Sequence, residues 1–317
     1  MLAGDPDLAV GNVVGSNIAN ILLILGISAL ILPLIVKRQL VRFDIPVMVG
    51  ITILLLALAL DGEISQLDGV ILFAAAAVHV VLSFWFSKRD PELVDAIDVP
   101  AAPSKLSPLA QSLLAVVLVL VGIGLLVLGA NFLVTGASNI AASFGVSSLI
   151  IGLTVVAIGT SLPELATSII AVRRGERDIA VGNIVGSNIF NIGVVLGIPA
   201  MIFPSGIPVA ASAVALDLPL ALAAAVALVP IAFTAFAIAR WEGGMFVVLY
   251  VAYTAYLILN AVQHDALSGF TTVMVFFVLP LVAVTLIAVT AYEVGYLRAK
   301  KTLTESASPT DPSSASK

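Results

Sequence analysis

Nine stretches of this chain are apolar for long enough to cross a lipid bilayer, which restricts its fold more than any other feature does. A helix spanning the hydrocarbon needs roughly 20 predominantly apolar residues. Candidate spans are read at about 8–36, 44–60, 69–86, 109–134, 146–172, 179–204, 208–239, 244–260 and 269–297. The runs are long and show no sustained period-two alternation, so they predict helices rather than the strands of a barrel. Some exceed a simple span, and the Gly, Pro and polar residues inside them predict interrupted or tilted helices. Composition agrees. The 317 residues are 61% hydrophobic and 10% charged, whereas soluble domains run near 45–50% apolar and about 25% charged. The expected fold class is an all-α polytopic membrane protein.

Charge gives the sidedness. Basic residues favour short cytoplasmic loops. Lys37, Arg38 and Arg42 follow the first span, Lys88, Arg89 and Lys105 the third, and Arg173, Arg174 and Arg177 the fifth. Arg240 follows the seventh, and Arg298, Lys300, Lys301 and Lys317 follow the ninth. All 14 basic residues thus fall on alternate loops, which predicts the N-terminus outside and the C-terminus in the cytoplasm. The acidic group Asp61, Glu63 and Asp68 falls on the opposite side. No basic, aromatic-interleaved face exists for nucleic acid. Cysteine is absent, which removes disulfides and thiolate metal sites. Residues 87–108 read as a polar cytoplasmic linker and 299–317 as a disordered cytoplasmic tail.

An internal repeat organises the rest. Residues 4–33 (GDPDLAVGNVVGSNIANILLILGISALILP) recur without a gap as residues 175–204 (GERDIAVGNIVGSNIFNIGVVLGIPAMIFP), at an offset of 171. Gly11, Asn12, Gly15, Ser16, Asn17, Asn20 and Gly26 return as Gly182, Asn183, Gly186, Ser187, Asn188, Asn191 and Gly197. Weaker echoes follow: Asp44-Ile45-Pro46 against Asp217-Leu218-Pro219, and Asp68-Gly69 against Glu242-Gly243. The first copy starts outside and the second inside, so the repeats are inverted. That is a common plan of secondary transporters, with the site near the midplane. Small residues alone would be explained by close helix packing. Paired Asn and Ser at matching places are explained less well that way.

The sharpest motif lies upstream of the second copy: Gly159-Thr160-Ser161-Leu162-Pro163-Glu164-Leu165-Ala166-Thr167-Ser168, within an apolar run. A carboxylate at bilayer depth is costly and marks function by default. Pro163 frees a backbone carbonyl one turn back, and Gly159 loosens the helix. Carbonyls, hydroxyls and one carboxylate form an oxygen-rich set suited to hard cations such as Ca²⁺ and Na⁺. Thr160 and Glu164 stand at i, i+4, as do Ser187 and Asn191, and Ser16 and Asn20, so each pair shares a helix face.

The pairing of Gly-Thr-Ser-x-Pro-Glu with Gly-Asn-x-x-Gly-Ser-Asn-x-x-Asn resembles the alpha repeat of the cation/Ca²⁺ exchanger superfamily. Residues 109–260 resemble one complete five-helix half, and residues 1–86 the last three helices of the other. The resemblance implies a ten-helix, inverted-repeat transporter plan and exchange of Ca²⁺ for Na⁺ by alternating access, with H⁺ used by some members. It implies Thr160, Ser161 and Glu164 as ligands together with the Ala157 carbonyl. Ser187 and Asn191 would be their partners, with Ser16 and Asn20 the symmetric pair. The ions are cargo; no tightly bound cofactor is implied. Two departures stand out. The first half lacks its own Gly-Thr-Ser-x-Pro-Glu segment, so the chain reads as starting inside a repeat, two helices short. Asn191 also stands where some members carry Asp. The ninth span, within 261–298, exceeds the family's plan.

Other readings were H⁺/Ca²⁺ exchange, an inert fragment, and an intramembrane hydrolase using Ser161, which lacks a plausible base. His79 aligns with Tyr253 and is expected to pack or hydrogen-bond. The short loops suit a prokaryotic plasma membrane. Oligomeric state is not legible in the sequence.

Overall fold

A computed structural model describes residues 7–87, 107–145, 151, 157–159, 161–234 and 236–307. The expected linker at 87–108 lies outside these residues except for its ends. Eight helices among the described residues have the length and composition to cross a membrane. They are α1 (Ala9–Ile31), α2 (Leu40–Asp61), α3 (Gln66–Phe86), α4 (Leu109–Ser143), α6 (Arg177–Ile202), α7 (Ala213–Phe233), α8 (Arg240–Ala261) and α9 (Ala266–Gly295). Between α4 and α6 lies the shorter α5 (Leu162–Arg173).

The fifth apolar run, residues 146–172, is described only in part, and the described part carries a break before α5. A short helical piece, Ala157–Gly159, precedes α5, and Ser161 between them has φ −101° and ψ 7°. Pro163 falls in the first turn of α5, where its missing N–H removes no intrahelical bond. Similar first-turn prolines, Pro46 and Pro219, stand where the α-helical parts of α2 and α7 begin. The Oε2 atom of Glu242 accepts the Ala239 N–H at 2.7 Å and closes the start of α8. At the C-terminus, helix continues from Leu279 to Ala307. Residues 299–307, read from the sequence as part of a disordered tail, lie in this helix, and Ala, Lys and Leu there are strong helix formers.

Repeat symmetry reaches the local backbone. Widened π turns occupy Ala19–Leu25 in α1 and the matching Asn191–Leu196 in α6. A second matched pair opens α2 at Leu40–Asp44 and α7 at Ala213–Asp217. Two short ribbons cross-link the copies. Strand β1 (Leu34–Ile35) pairs antiparallel with β4 (Ala237–Ile238), and β2 (Glu63–Ile64) pairs antiparallel with β3 (Ile207–Pro208). Here β3 is the repeat equivalent of β1, and β4 that of β2, so each ribbon joins unlike elements of opposite copies.

Helix packing follows the same rule: α1 packs on α8 and α6 packs on α3. Gly26 meets Gly243 in the first crossing, and Gly197 meets Gly69 in the second. The buried core runs through α1, α2, α6 and α7, with Ile18, Leu25, Ile45, Leu55, Ile184, Leu196, Leu218 and Leu228 at most 1% exposed. By contrast, α4 and α9 bury almost none of their apolar side chains, as expected of helices bathed in lipid. The ninth helix leans on α7.

The ribbons and ion pairs fix relative sidedness. Lys37 pairs with Asp178 at 2.5 Å, the Arg240 guanidinium donates to the Ile31 carbonyl at 3.1 Å, and Arg38 lies 5.7 Å from the Phe236 ring centroid. The loops after α1, after α5 and after α7 therefore share one face. On the other face, the β2 and β3 loops meet and Gln66 donates to the Met201 carbonyl. This matches the alternation of basic loops.

Candidate cation site

Four asparagines join the two copies of the repeat at the centre of the α1–α6 contact. Asn17 and Asn188 are repeat equivalents, as are Asn20 and Asn191. The Asn17 Nδ2 donates to the Asn188 carbonyl at 3.2 Å, and the Asn188 Nδ2 lies 3.5 Å from the Asn17 carbonyl. The Asn20 Nδ2 donates to Asn188 Oδ1 at 2.9 Å, and the Asn191 Nδ2 donates to Asn17 Oδ1 at 2.9 Å. Asn17, Asn20 and Asn188 are at most 5% exposed. Buried amides in an apolar bundle persist only where such partners compensate the lost water.

Against this pair lies α5, which packs on α4, on the first half of α6 and on the π turn and second half of α1. Thr167 ties it to α6: its hydroxyl donates to the Pro163 and Glu164 carbonyls and accepts the Asn183 amide at 3.4 Å. Ser161 is 3% exposed at the break before α5, and Glu164 sits half-buried in its first turn. Among the described residues, five buried side-chain polar atoms find no hydrogen-bond partner: Asn20 Oδ1, Ser28 Oγ, Ser138 Oγ, Glu164 Oε2 and Ser168 Oγ. All five belong to α5 or to helices packed against it. An unpaired buried oxygen costs about 1–3 kcal/mol. Their concentration around one helix leaves oxygens there that a cation could use.

Among the described residues, no three His, Cys, Asp or Glu side chains cluster as a metal centre. The oxygen set is one carboxylate with amides and hydroxyls, a chemistry suited to hard cations held loosely enough to leave. Of the residues expected from sequence, Glu164 on α5 with Ser161 just before it, Ser187 and Asn191 on α6, and Ser16 and Asn20 on α1 fall on or at the start of three mutually packed helices. Thr160 and the side chain of Ala157 lie outside the described residues. The sequence reading did not single out Ser28 or Ser138, placed Ser168 only at the end of the motif and not among the ligands, and gave Asn17 and Asn188 no place in the site. The identity of the two asparagines across the repeat was the available signal for them; an isolated serine in an apolar run gives none.

The fold is that of an inverted-repeat helical membrane protein, an architecture common among secondary transporters. The model of the sodium/calcium exchanger protein family matches residues 1–85 and 114–259. The chain belongs to that family. It is 38% identical to Inner membrane protein YrbG of Escherichia coli, covering 63% of this chain and 62% of that one. It is 36% identical to Putative antiporter CaxA of Alkalimonas amylolytica, covering 66% of this chain and 65% of that one. The chain thus spans less than two thirds of the length of these two relatives. Its structure is similar to that of the sodium-calcium exchanger NCX_Mj, with a TM-score of 0.63, 31% sequence identity, and 80% of this chain and 77% of that one covered.

Proposed function

We propose that this protein is a secondary antiporter that exchanges Ca²⁺ for Na⁺ across the membrane by alternating access. The observation that carries the reading is the set of partnerless buried oxygens around α5, Glu164 Oε2 foremost. Family membership and the names of its relatives support the same chemistry. Ca²⁺ and Na⁺ compete for Glu164, Ser161 and Thr160, the Ala157 carbonyl, and Ser187, Asn191, Ser16 and Asn20. One carboxylate binds either one Ca²⁺ or Na⁺ ions in turn, so occupancy is mutually exclusive. Residues 109–260 form one complete repeat and 1–86 the three-helix part of the other. The membrane is a prokaryotic plasma membrane, with the N-terminus outside.

The test is ⁴⁵Ca²⁺ uptake into proteoliposomes loaded with Na⁺. Uptake is expected to follow the outward Na⁺ gradient and to disappear in Glu164→Gln, which keeps the side-chain size but removes the charge. Uptake that ignores Na⁺ and follows a pH gradient would assign the coupling to H⁺ instead. No Ca²⁺ uptake under either gradient overturns the antiport reading.

A further inference from the structure

The asparagine quartet has a donor–acceptor polarity set by the backbone. A peptide carbonyl only accepts hydrogen bonds. The Asn188 carbonyl therefore compels Asn17 to turn its Nδ2 toward it, at 3.2 Å. That choice leaves Asn17 Oδ1 facing Asn191, which must answer with its own Nδ2, at 2.9 Å. The Asn191 Oδ1 is then turned away from the contact. The second half of the quartet repeats the sequence. The Asn188 Nδ2 faces the Asn17 carbonyl at 3.5 Å and Met48 Sδ at 3.6 Å, so Asn188 Oδ1 receives the Asn20 Nδ2. Asn20 Oδ1 is left buried and unpartnered, on a residue 1% exposed, in the π turn that packs against α5.

An asparagine in a cation site is useful in only one of its two amide orientations. The flipped rotamer presents an NH₂ group, which repels a cation. The two differ by a half-turn about a soft torsion, so something must choose between them. We propose that Asn17 and Asn188 are positioning residues that lock the side-chain amides of Asn191 and Asn20 with Oδ1 free for the cation. The inference rests on the antiport reading and on Asn20 and Asn191 as ligands. It adds a reason for the two further asparagines: each orients the ligand of the opposite repeat, so the two halves of the site are set by one another.

A carboxylate has no wrong orientation, because its two oxygens are equivalent. This gives a double-mutant cycle read as apparent Ca²⁺ affinity, by equilibrium ⁴⁵Ca²⁺ binding to the detergent-solubilised protein and by the half-saturating Ca²⁺ of exchange. Asn188→Leu is expected to weaken affinity by about tenfold or more in the native background. In an Asn20→Asp background the same substitution is expected to change affinity by no more than about twofold. A merely structural Asn188 would lower affinity equally in both backgrounds, and that result overturns the proposal. Should Asn188→Leu fail to fold, Asn17→Leu with Asn191→Asp runs the same cycle in the other half. Failure of both leucine variants to fold would make the quartet a scaffold and also overturn the proposal. Wild type that neither binds nor exchanges Ca²⁺ rejects the antiport reading itself. Exchange by wild type with equal losses in both backgrounds rejects only the orienting role.

Discussion

His79 and Tyr253 occupy the same station in the two repeats and perform one task with different chemistry. His79 Nε2 lies 2.8 Å from Asp44 Oδ1, and Tyr253 donates its hydroxyl to Asp217 Oδ1 at 2.8 Å. Ser83 adds a third group to the first cluster, donating to Asp44 at 3.2 Å, and Phe43 stacks on the imidazole with centroids 5.5 Å apart. Each aspartate sits at the end of a π turn that opens its helix. The shared requirement is a hydrogen-bond donor for a carboxylate poorly reached by water. His79→Tyr should therefore cost less than about 1 kcal/mol, since the other repeat already uses Tyr there. Asp44→Ala should cost about 1–3 kcal/mol, because it strands His79 and Ser83 without an acceptor. Thermal unfolding in detergent separates the two; equal losses would mean that the cluster's shape, not its hydrogen bonding, matters.

The glycine crossings show how a pair of elements is held at close range. A Cβ built on Gly243 would lie 2.7 Å from the Gly26 carbonyl oxygen, and one on Gly69 would lie 2.7 Å from the Gly197 carbonyl oxygen. Backbone cannot yield as a flexible side chain does, so α8 and α3 would have to move off α1 and α6. Gly243→Ala and Gly69→Ala should each cost about 1–3 kcal/mol. Gly244→Ala should be nearly neutral, because its Cβ would meet only Leu30 Cδ2 at 3.6 Å. Similar melting temperatures for all three variants would refute the close-crossing account. Much of this element layer was legible beforehand. Hydropathy placed the spans, and Gly159 with Pro163 marked the break before α5. The proposed cation-binding faces of α1 and α6 were suggested by oxygen-bearing residues recurring at an offset of 171. What stayed hidden has physical reasons. A π turn adds one residue to a helix without changing its apolar character, so hydropathy is blind to Ala19–Leu25 and Asn191–Leu196. The amide pairing of Asn17 with Asn191 depends on contact between segments far apart in the chain. The helix through Ala307 arose where polar composition outweighed helix propensity in the sequence reading.

At the scale of the whole molecule, the inverted repeat becomes a pseudo-twofold arrangement in which the main cross-copy contacts occur twice. The β1–β4 and β2–β3 ribbons, the two glycine crossings and the two halves of the asparagine quartet are each related by exchange of the copies. Such a body has two similar halves facing opposite sides of the bilayer, a symmetry suited to opening alternately to either side. It also makes sidedness testable with small perturbations. The chain has no cysteine, so single cysteines can be introduced on the native background. Lys37, Arg174 and Arg240 are exposed on the basic face, and Asp61 and Ser205 are exposed in the loops of the opposite face. In intact cells an impermeant maleimide should label Asp61→Cys and Ser205→Cys, while Lys37→Cys, Arg174→Cys and Arg240→Cys react only after permeabilisation. The reverse pattern would keep the fold but invert the membrane orientation set by the basic loops. Labelling that divides the basic set, with Lys37→Cys reacting from one side and Arg240→Cys from the other, would break the β1–β4 ribbon and with it the inverted architecture.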